Sequence, residues 1–315
     1  MSLFRFVFLL IFSLPVLAQD WPNKPVKFVS PYPPGGSVDP LARMLGAKLG
    51  ESLKQNFIVE NRTGASGVIG TEYVAKSAPD GYTFVFIFDT HAVHQALNPK
   101  LPFDPVKDFT PVMIVGTAPM AITTGAQKPY KNFQDVLGAA KKDKVSLGNV
   151  GNGSLAHLTT IVLNQAAGTK FEPVAYKGGG PLSADLIGGH VELAMASTAA
   201  QAQHVRSGKM RALALTGDKR SHTMPDVPTL KELGIDVVAH AWWGILAPAG
   251  TPKSIIDKFH AELAKAIKLP DVNKMLTDTQ GMDVVALSPD ATQKWIVDNM
   301  NRWGKVVRDN NIRAE

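Results

Sequence analysis

Residues 30–43 read SPYPPGGSVDPLAR. They follow an apolar run, Val26–Val29, that reads as a strand through Ser30, and they precede a helical pattern over Pro40–Lys54. Pro31, Pro33 and Pro34 fix φ and carry no amide hydrogen, so the approach to the turn is stiff. Gly35 and Gly36 then let another group come close to bare main chain. Ser37 adds a hydroxyl, and the start of the helix directs its positive dipole end to the same place. A strand, a stiff turn, two glycines and a helix start make a place where backbone N–H groups can meet a small anion.

Working outward, strand-like and helix-like segments alternate along the chain. Strands are expected at Phe57–Glu60, Tyr82–Phe88, Val112–Val115, Met120–Thr123, Val145–Asn149, Phe171–Tyr176, Val191–Met195, Arg211–Leu215 and Gly244–Ala247. Helices are expected at Ile69–Lys76, Phe133–Lys141, Leu155–Ala167, Pro181–Ile187, Ser197–Ser207, Pro252–Ile267 and Pro289–Val307. Asp39-Pro40, Thr251-Pro252 and Ser288-Pro289 each pair a capping side chain with a proline at a helix start. This alternation predicts an α/β architecture with largely parallel sheets covered by helices. Crossings near Gly116–Thr124 and Val237–Ile245 divide the chain into a first lobe, 19–120 with 245–315, and an inserted second lobe, 121–244.

The first glycine turn has counterparts. Gly151-Asn152-Gly153-Ser154 opens the helix that holds His157, Gly178-Gly179-Gly180 opens the helix at Pro181, and Ser197-Thr198 opens another. In open α/β sheets ligands gather beyond the carboxyl ends of strands, where helix N-termini converge. Four such turns on two lobes would line a cleft that takes an anion. None has the Lys-Ser/Thr pair of a phosphate-binding loop, and Gly64–Gly70 spaces its glycines GxxGxxG rather than GxGxxG. A carboxylate suits such neutral donors.

The composition agrees with a folded solute binder. The chain has 315 residues, 45% hydrophobic and 19% charged, enough for a substantial core. The net charge of +6 is scattered, and its densest group, Lys141, Lys142 and Lys144, encloses Asp143, so no nucleic-acid surface is expected. Residues 1–18 read as a signal peptide: Arg5, an apolar run to Val16, and a small-residue cleavage site ending at Ala18. Export is therefore expected. The chain has no cysteine, which removes thiol catalysis, thiolate metal sites and disulfides together.

Six ordered segments carry a specific resemblance: WPNKPVKFVSPYPPGGSVDPLAR, VENRTGASGVIGTEYVAKSAPDGYT, NVGNGSLAHL, YKGGGPLSADLIGGHVELAMAS, MPDVPTL and WWGILAPAGTP. Together the chain resembles the periplasmic substrate-binding proteins of tripartite tricarboxylate transporters, the Bug family. The resemblance implies a two-lobed periplasmic binding fold, type II-like and of the Venus-flytrap kind, with the ligand cleft between the lobes. It implies carboxylate capture by the turn from Tyr32 through Pro34, Gly35 and Gly36 to Ser37, and by the Gly151, Asn152, Gly153, Ser154 turn. The chain departs from the family at FVFIFDTHAVHQALNP, where Asp89, Thr90, His91 and His94 precede Asn98-Pro99. Solute identity is expected to be set there: Thr90 and His91 can donate to a carboxylate, whereas Asp89 would repel one unless protonated or paired, and could instead cap the following helix or bind an amine or hydroxyl on the solute. Tyr32, Phe88 and Trp242 are candidate apolar walls, and His157, Lys177, Gly178, Gly179, Ser197 and Thr198 complete the candidate set.

Enzyme chemistry is poorly supported. Ser154 and His157 are three apart at a helix start, but GNGSLA is not a nucleophile elbow, and no metal-ligand spacing accompanies His91 and His94. The expected function is capture of a small organic carboxylate, with neither cofactor nor metal, by a monomer. Its partners would be membrane components of a tripartite tricarboxylate transporter or a sensor kinase; a Ser/His hydrolase is a remote alternative. A dicarboxylate, tricarboxylate, aromatic acid or amino-acid-like solute fits the residues.

Overall fold

β1 (Val26–Ser30) pairs in parallel with β2 (Phe57–Asn61) on one side and β3 (Thr83–Phe88) on the other. The computed structural model that shows this describes residues 21–313; the expected signal peptide lies outside them. β3 is TFVFIF, and its successive side chains enter different cores. Phe84, Phe86 and Phe88 join the cluster with Phe28, Leu41, Leu45 and Phe259, while Val85 and Ile87 join Val29, Val74, Trp242 and Ile296. Helix α1 (Val38–Leu53) covers the first face, and α2 (Val68–Ala75) packs on β3, β1 and β9 (His240–Pro248).

β4 (Phe109–Gly125) is a single strand of 17 residues. The sequence reads as two strands here, because Gly116 and Pro119 look like breakers. The structure carries one strand through both: bulges at Pro111/Met113 and Ile114/Gly116 absorb the irregularity, and Pro119 is the last residue paired with β9. From Met120 onward β4 pairs instead with β7 (Leu193–Ser197) and β8 (Met210–Leu215). The strand order is β2-β1-β3-β9-β4-β7-β5-β6, with β5 (Val145–Asn149) and β6 (Phe171–Ala175) parallel and the short β10 (Asp283–Val284) on β4. β4 thus threads from one half of the molecule into the other.

The second half carries α4 (Phe133–Lys142), α5 (Leu155–Ala167), α6 (Gly179–Gly188) and α7 (Thr198–Arg206). After β9 the chain returns through α8 (Lys253–Lys268), whose Phe259 packs 4.2 Å from Phe84, α9 (Pro270–Lys274), and α10 (Pro289–Asp309) on β4. Before them in the chain come the 3-10 turn Asp89–Ala92 and α3 (His94–Leu97); Asp89 is the first residue of the turn and caps neither. No helix among the described residues is long and apolar enough to cross a membrane.

Two expected caps fail. Helix α1 begins at Val38, so Asp39 lies in its first turn, where it takes a bidentate Arg43 (2.9 and 3.0 Å) and Asn61 (2.8 Å). Thr251 donates to Pro248 O (2.7 Å) and does not cap α8. Ser288 does cap α10, accepting from the Ala291 amide at 3.3 Å.

Candidate functional site

The two halves meet at their glycine turns. An ideal Cβ on Gly35 would lie 3.7 Å from Gly180 Cα, and one on Gly179 would lie 3.9 Å from Gly36 Cα. Bare main chain on both sides permits this approach. Gly35 also has φ +89°, whereas Gly36 keeps an ordinary negative-side backbone. The cleft beside this contact has about 50 Å³ of free space. Its floor and sides come from the turn before α1, the end of β3, and the starts of α6 and α7.

Helix ends dominate its chemistry. Ser37, Gly178 and Ser197 precede α1, α6 and α7, and none of these N-termini has a side-chain cap. By contrast α4, α5 and α10 are capped by Asn132, Ser154 and Ser288. The amides of Gly36, Ser37 and Gly179 have no acceptor among the described residues. Each uncapped helix start carries a partial positive charge of roughly half a unit. No Lys, Arg or His lines the cleft. This is a site that meets an anion with neutral donors.

β-strand parity positions the rest. Phe88 pairs in register with Trp243 of β9, and their rings lie 5.3 Å apart on one face of the sheet. Trp243 is fully buried and donates its Nε1 to Ser37 Oγ at 3.0 Å. That bond occupies an acceptor position of the hydroxyl and leaves its hydrogen to donate. Tyr32 packs edge-on to Phe88 at 6.0 Å, and its phenol shares a hydrogen bond with Thr90. Burial pushes the Tyr32 phenol up, so it stays protonated. Asp89 is 4% exposed. Burial pushes its carboxyl well above the usual carboxylate range, opposed by hydrogen bonds from the Leu155 and Thr90 amides. Asp89 Oδ1 has no hydrogen-bond partner.

Of the residues singled out from sequence, the cleft brings together Tyr32, Gly36, Ser37, Asp89, Thr90, Gly178, Gly179 and Ser197. Pro34 and Gly35 lie behind the lining, where Pro33 takes their place. The turn at 151–154 is turned to internal bonds. Gly151 N donates to Asn149 Oδ1 (3.0 Å), Ser154 N to Gly151 O (3.0 Å), and Gly153 N to His157 Nδ1 (2.9 Å). Ser154 Oγ caps α5 at His157 N, so neither Ser154 nor His157 is arranged as a nucleophile and base. Asn152 O accepts from Ser66 Oγ at 3.4 Å, a second contact between the halves. Val150 and Ala156 line the cleft instead.

Four further candidates lie outside the lining of the cleft. His91 is buried in the first half, where Nε2 donates to Pro105 O (2.9 Å) and the ring lies among His94, Phe103 and Phe109. Lys177 is exposed and outside the lining. Thr198 is buried with its hydroxyl toward Gly281 O at 3.5 Å. Trp242 points to the opposite sheet face from the cleft, into the Val85 and Ile87 cluster; its neighbour Trp243 is the residue at the site. The alternation of a strand made the choice a matter of one residue, and the sequence offered no register.

A larger groove, about 740 Å³, opens between Lys24, Lys27, Glu72, Tyr73 and Lys76. Its charges are already paired, Lys24 with Asp80, Lys27 with Glu60 and Lys76 with Glu72. The narrower cleft carries the chemistry.

Residues 41–312 match the tripartite tricarboxylate transporter family receptor. The chain is 36% identical over 308 residues to protein BugT of Bordetella pertussis, covering 96% of this chain and 94% of that protein. The solved periplasmic binding protein BugD superposes with a TM-score of 0.88 at 31% identity, over 94% of this chain and 100% of that one. An R. palustris protein solved with adipate gives a TM-score of 0.89 at 31% identity, over 93% and 99% of the two chains. With the whole two-sheet architecture matched and the match spanning both halves, the chain belongs to the tripartite tricarboxylate transporter receptor family.

Proposed function

We propose that this protein is a periplasmic solute-binding protein that closes on a small organic carboxylate and presents it to the membrane components of a tripartite tricarboxylate transporter. One observation carries the reading: three uncapped helix N-termini meet in a cleft that holds no cationic side chain. Such donors satisfy a carboxylate without a fixed counter-charge. The adipate held by the R. palustris relative supports the same class of solute. The first lobe comprises 21–119 with 240–313, and the second 120–239. We set the return boundary at 239/240 because β9 pairs with β4 from His240 onward. A solute touching both lobes stabilises the closed state by its differential affinity for it.

Thermal-shift screening against a panel of carboxylic acids tests this. A bound acid raises the melting point by mass action. Gly36→Val should abolish the shift while the fold survives, because its Cβ meets only Pro33 O, at 3.9 Å, yet the side chain enters the cleft. Full retention of affinity in that variant would overturn the site.

A further inference from the structure

Asp89 is the cleft residue that a plain carboxylate does not explain. The ends of α1, α6 and α7 all offer hydrogens, as does the Ser37 hydroxyl, and Tyr32 and Thr90 are engaged with each other. Among the lining residues Asp89 is the one carboxyl, and no cation faces it. It sits at the end of β3, in the first residue of a 3-10 turn, and reaches across to the amide that opens α5. Those amides can support a charged carboxylate, but Oδ1 is buried with no partner. A buried acceptor without a donor is costly, and a second negative charge beside a bound anion is costlier.

A solute that brings its own hydrogen-bonding cation removes both costs. We propose that Asp89 is a specificity-determining residue that receives, at Oδ1, the ammonium group of an amino-bearing carboxylate whose acid group rests on the uncapped helix ends. This rests on the carboxylate reading and narrows it to zwitterionic acids. The ammonium ionises Asp89 and forms a charge-assisted bond in a site with little water. An analogue lacking the amine leaves Oδ1 unpaired and is rejected accordingly.

Titration calorimetry at pH 7 with matched pairs tests it. The probes are succinate and aspartate, glutarate and glutamate, adipate and 2-aminoadipate, and 3-phenylpropionate and phenylalanine. In the pair whose size fits, the amino acid should bind at least about tenfold more tightly. Asp89→Asn, equal in shape and unable to ionise, should melt no lower and should lose that preference, with the plain acid bound as tightly as before or more so. Three results overturn the proposal: plain acids bound equally well or better by the unaltered chain, affinity for a plain acid that falls as pH rises because Asp89 acts as a protonated donor, or an undiminished preference in Asp89→Asn. In each of these the carboxylate reading still stands. Absence of binding by every acid, amino or plain, overturns that reading and this one with it.

Discussion

At the scale of single residues, the cleft and the first core use polar side chains in opposite ways. Ser37 is both a cleft hydroxyl and the acceptor for Trp243. Ser37→Ala should cost about 1–3 kcal/mol of stability, because the indole N–H is left buried and unpaired. Urea unfolding measures this, and the same variant should bind its acid several-fold more weakly. His91 and His94 are core groups: burial depresses their pKa values to about 3 and about 4. The unfolded chain then binds protons that the folded chain refuses, so stability present above pH 6.5 is lost as pH falls toward 4. Asp89, whose pKa burial raises, works the other way: its contribution is present below pH 3.8 and is lost as pH rises. Comparing the chain with His91→Phe leaves the Asp89 contribution in both. The variant should lose less stability between pH 6.5 and 4, by up to about 1.4 kcal/mol per pH unit, in urea titrations at each pH.

At the scale of elements, the helix starts at the cleft, those of α1, α6 and α7, lack side-chain caps, whereas α4, α5 and α10 are closed by their own. Ser288→Ala removes a used cap and should lower stability by about 1 kcal/mol without changing solute affinity. Ser197→Ala removes a hydroxyl that caps nothing, so unfolding should shift by less than about 0.5 kcal/mol while affinity falls. Equal stability losses in the two variants would contradict this division. Many elements were legible in advance because their periodicity and flanking residues agree: β1 and α5 run over the segments the pattern indicates, Val26–Ser30 and Leu155–Ala167. The unbroken β4 was not, because bulges and a proline at a change of partner look in one dimension like an interruption. The extent of the helical stretch at 89–97 was not legible either: Asp89, Thr90, His91 and His94 are buried along with Ala92, Val93 and Leu97, so polar residues mark no exposed face there.

At the scale of the whole molecule, two halves touch through glycine. Gly180 lies in α6 with ordinary helical geometry, and an ideal Cβ there would sit 3.7 Å from Pro34 O. Gly180→Leu therefore improves helix propensity by up to about 1 kcal/mol while wedging the halves apart. The melting point should not fall, but solute affinity should drop by about tenfold or more, and small-angle scattering should show no compaction on adding the acid. Compaction equal to that of the unaltered chain would rule out Gly35–Gly180 as the closing contact.

By itself the sequence determined the alternation of strands and helices, the glycine turns after strands, the absence of thiol chemistry and the family, because these depend on local residue order. Which glycine turns hold free amides was decided only by the tertiary structure. The 36–37 and 178–179 turns face each other across the cleft, whereas the 151–154 turn folds its amides onto Asn149 and His157. Tertiary structure also chose Trp243 over Trp242 and turned His91 toward Pro105 O, outside the cleft lining, since strand register and the path of a short helix set which side chain faces the cleft. Hydrogen-bond partners and sheet faces are properties of distant segments brought together, and local order does not encode them.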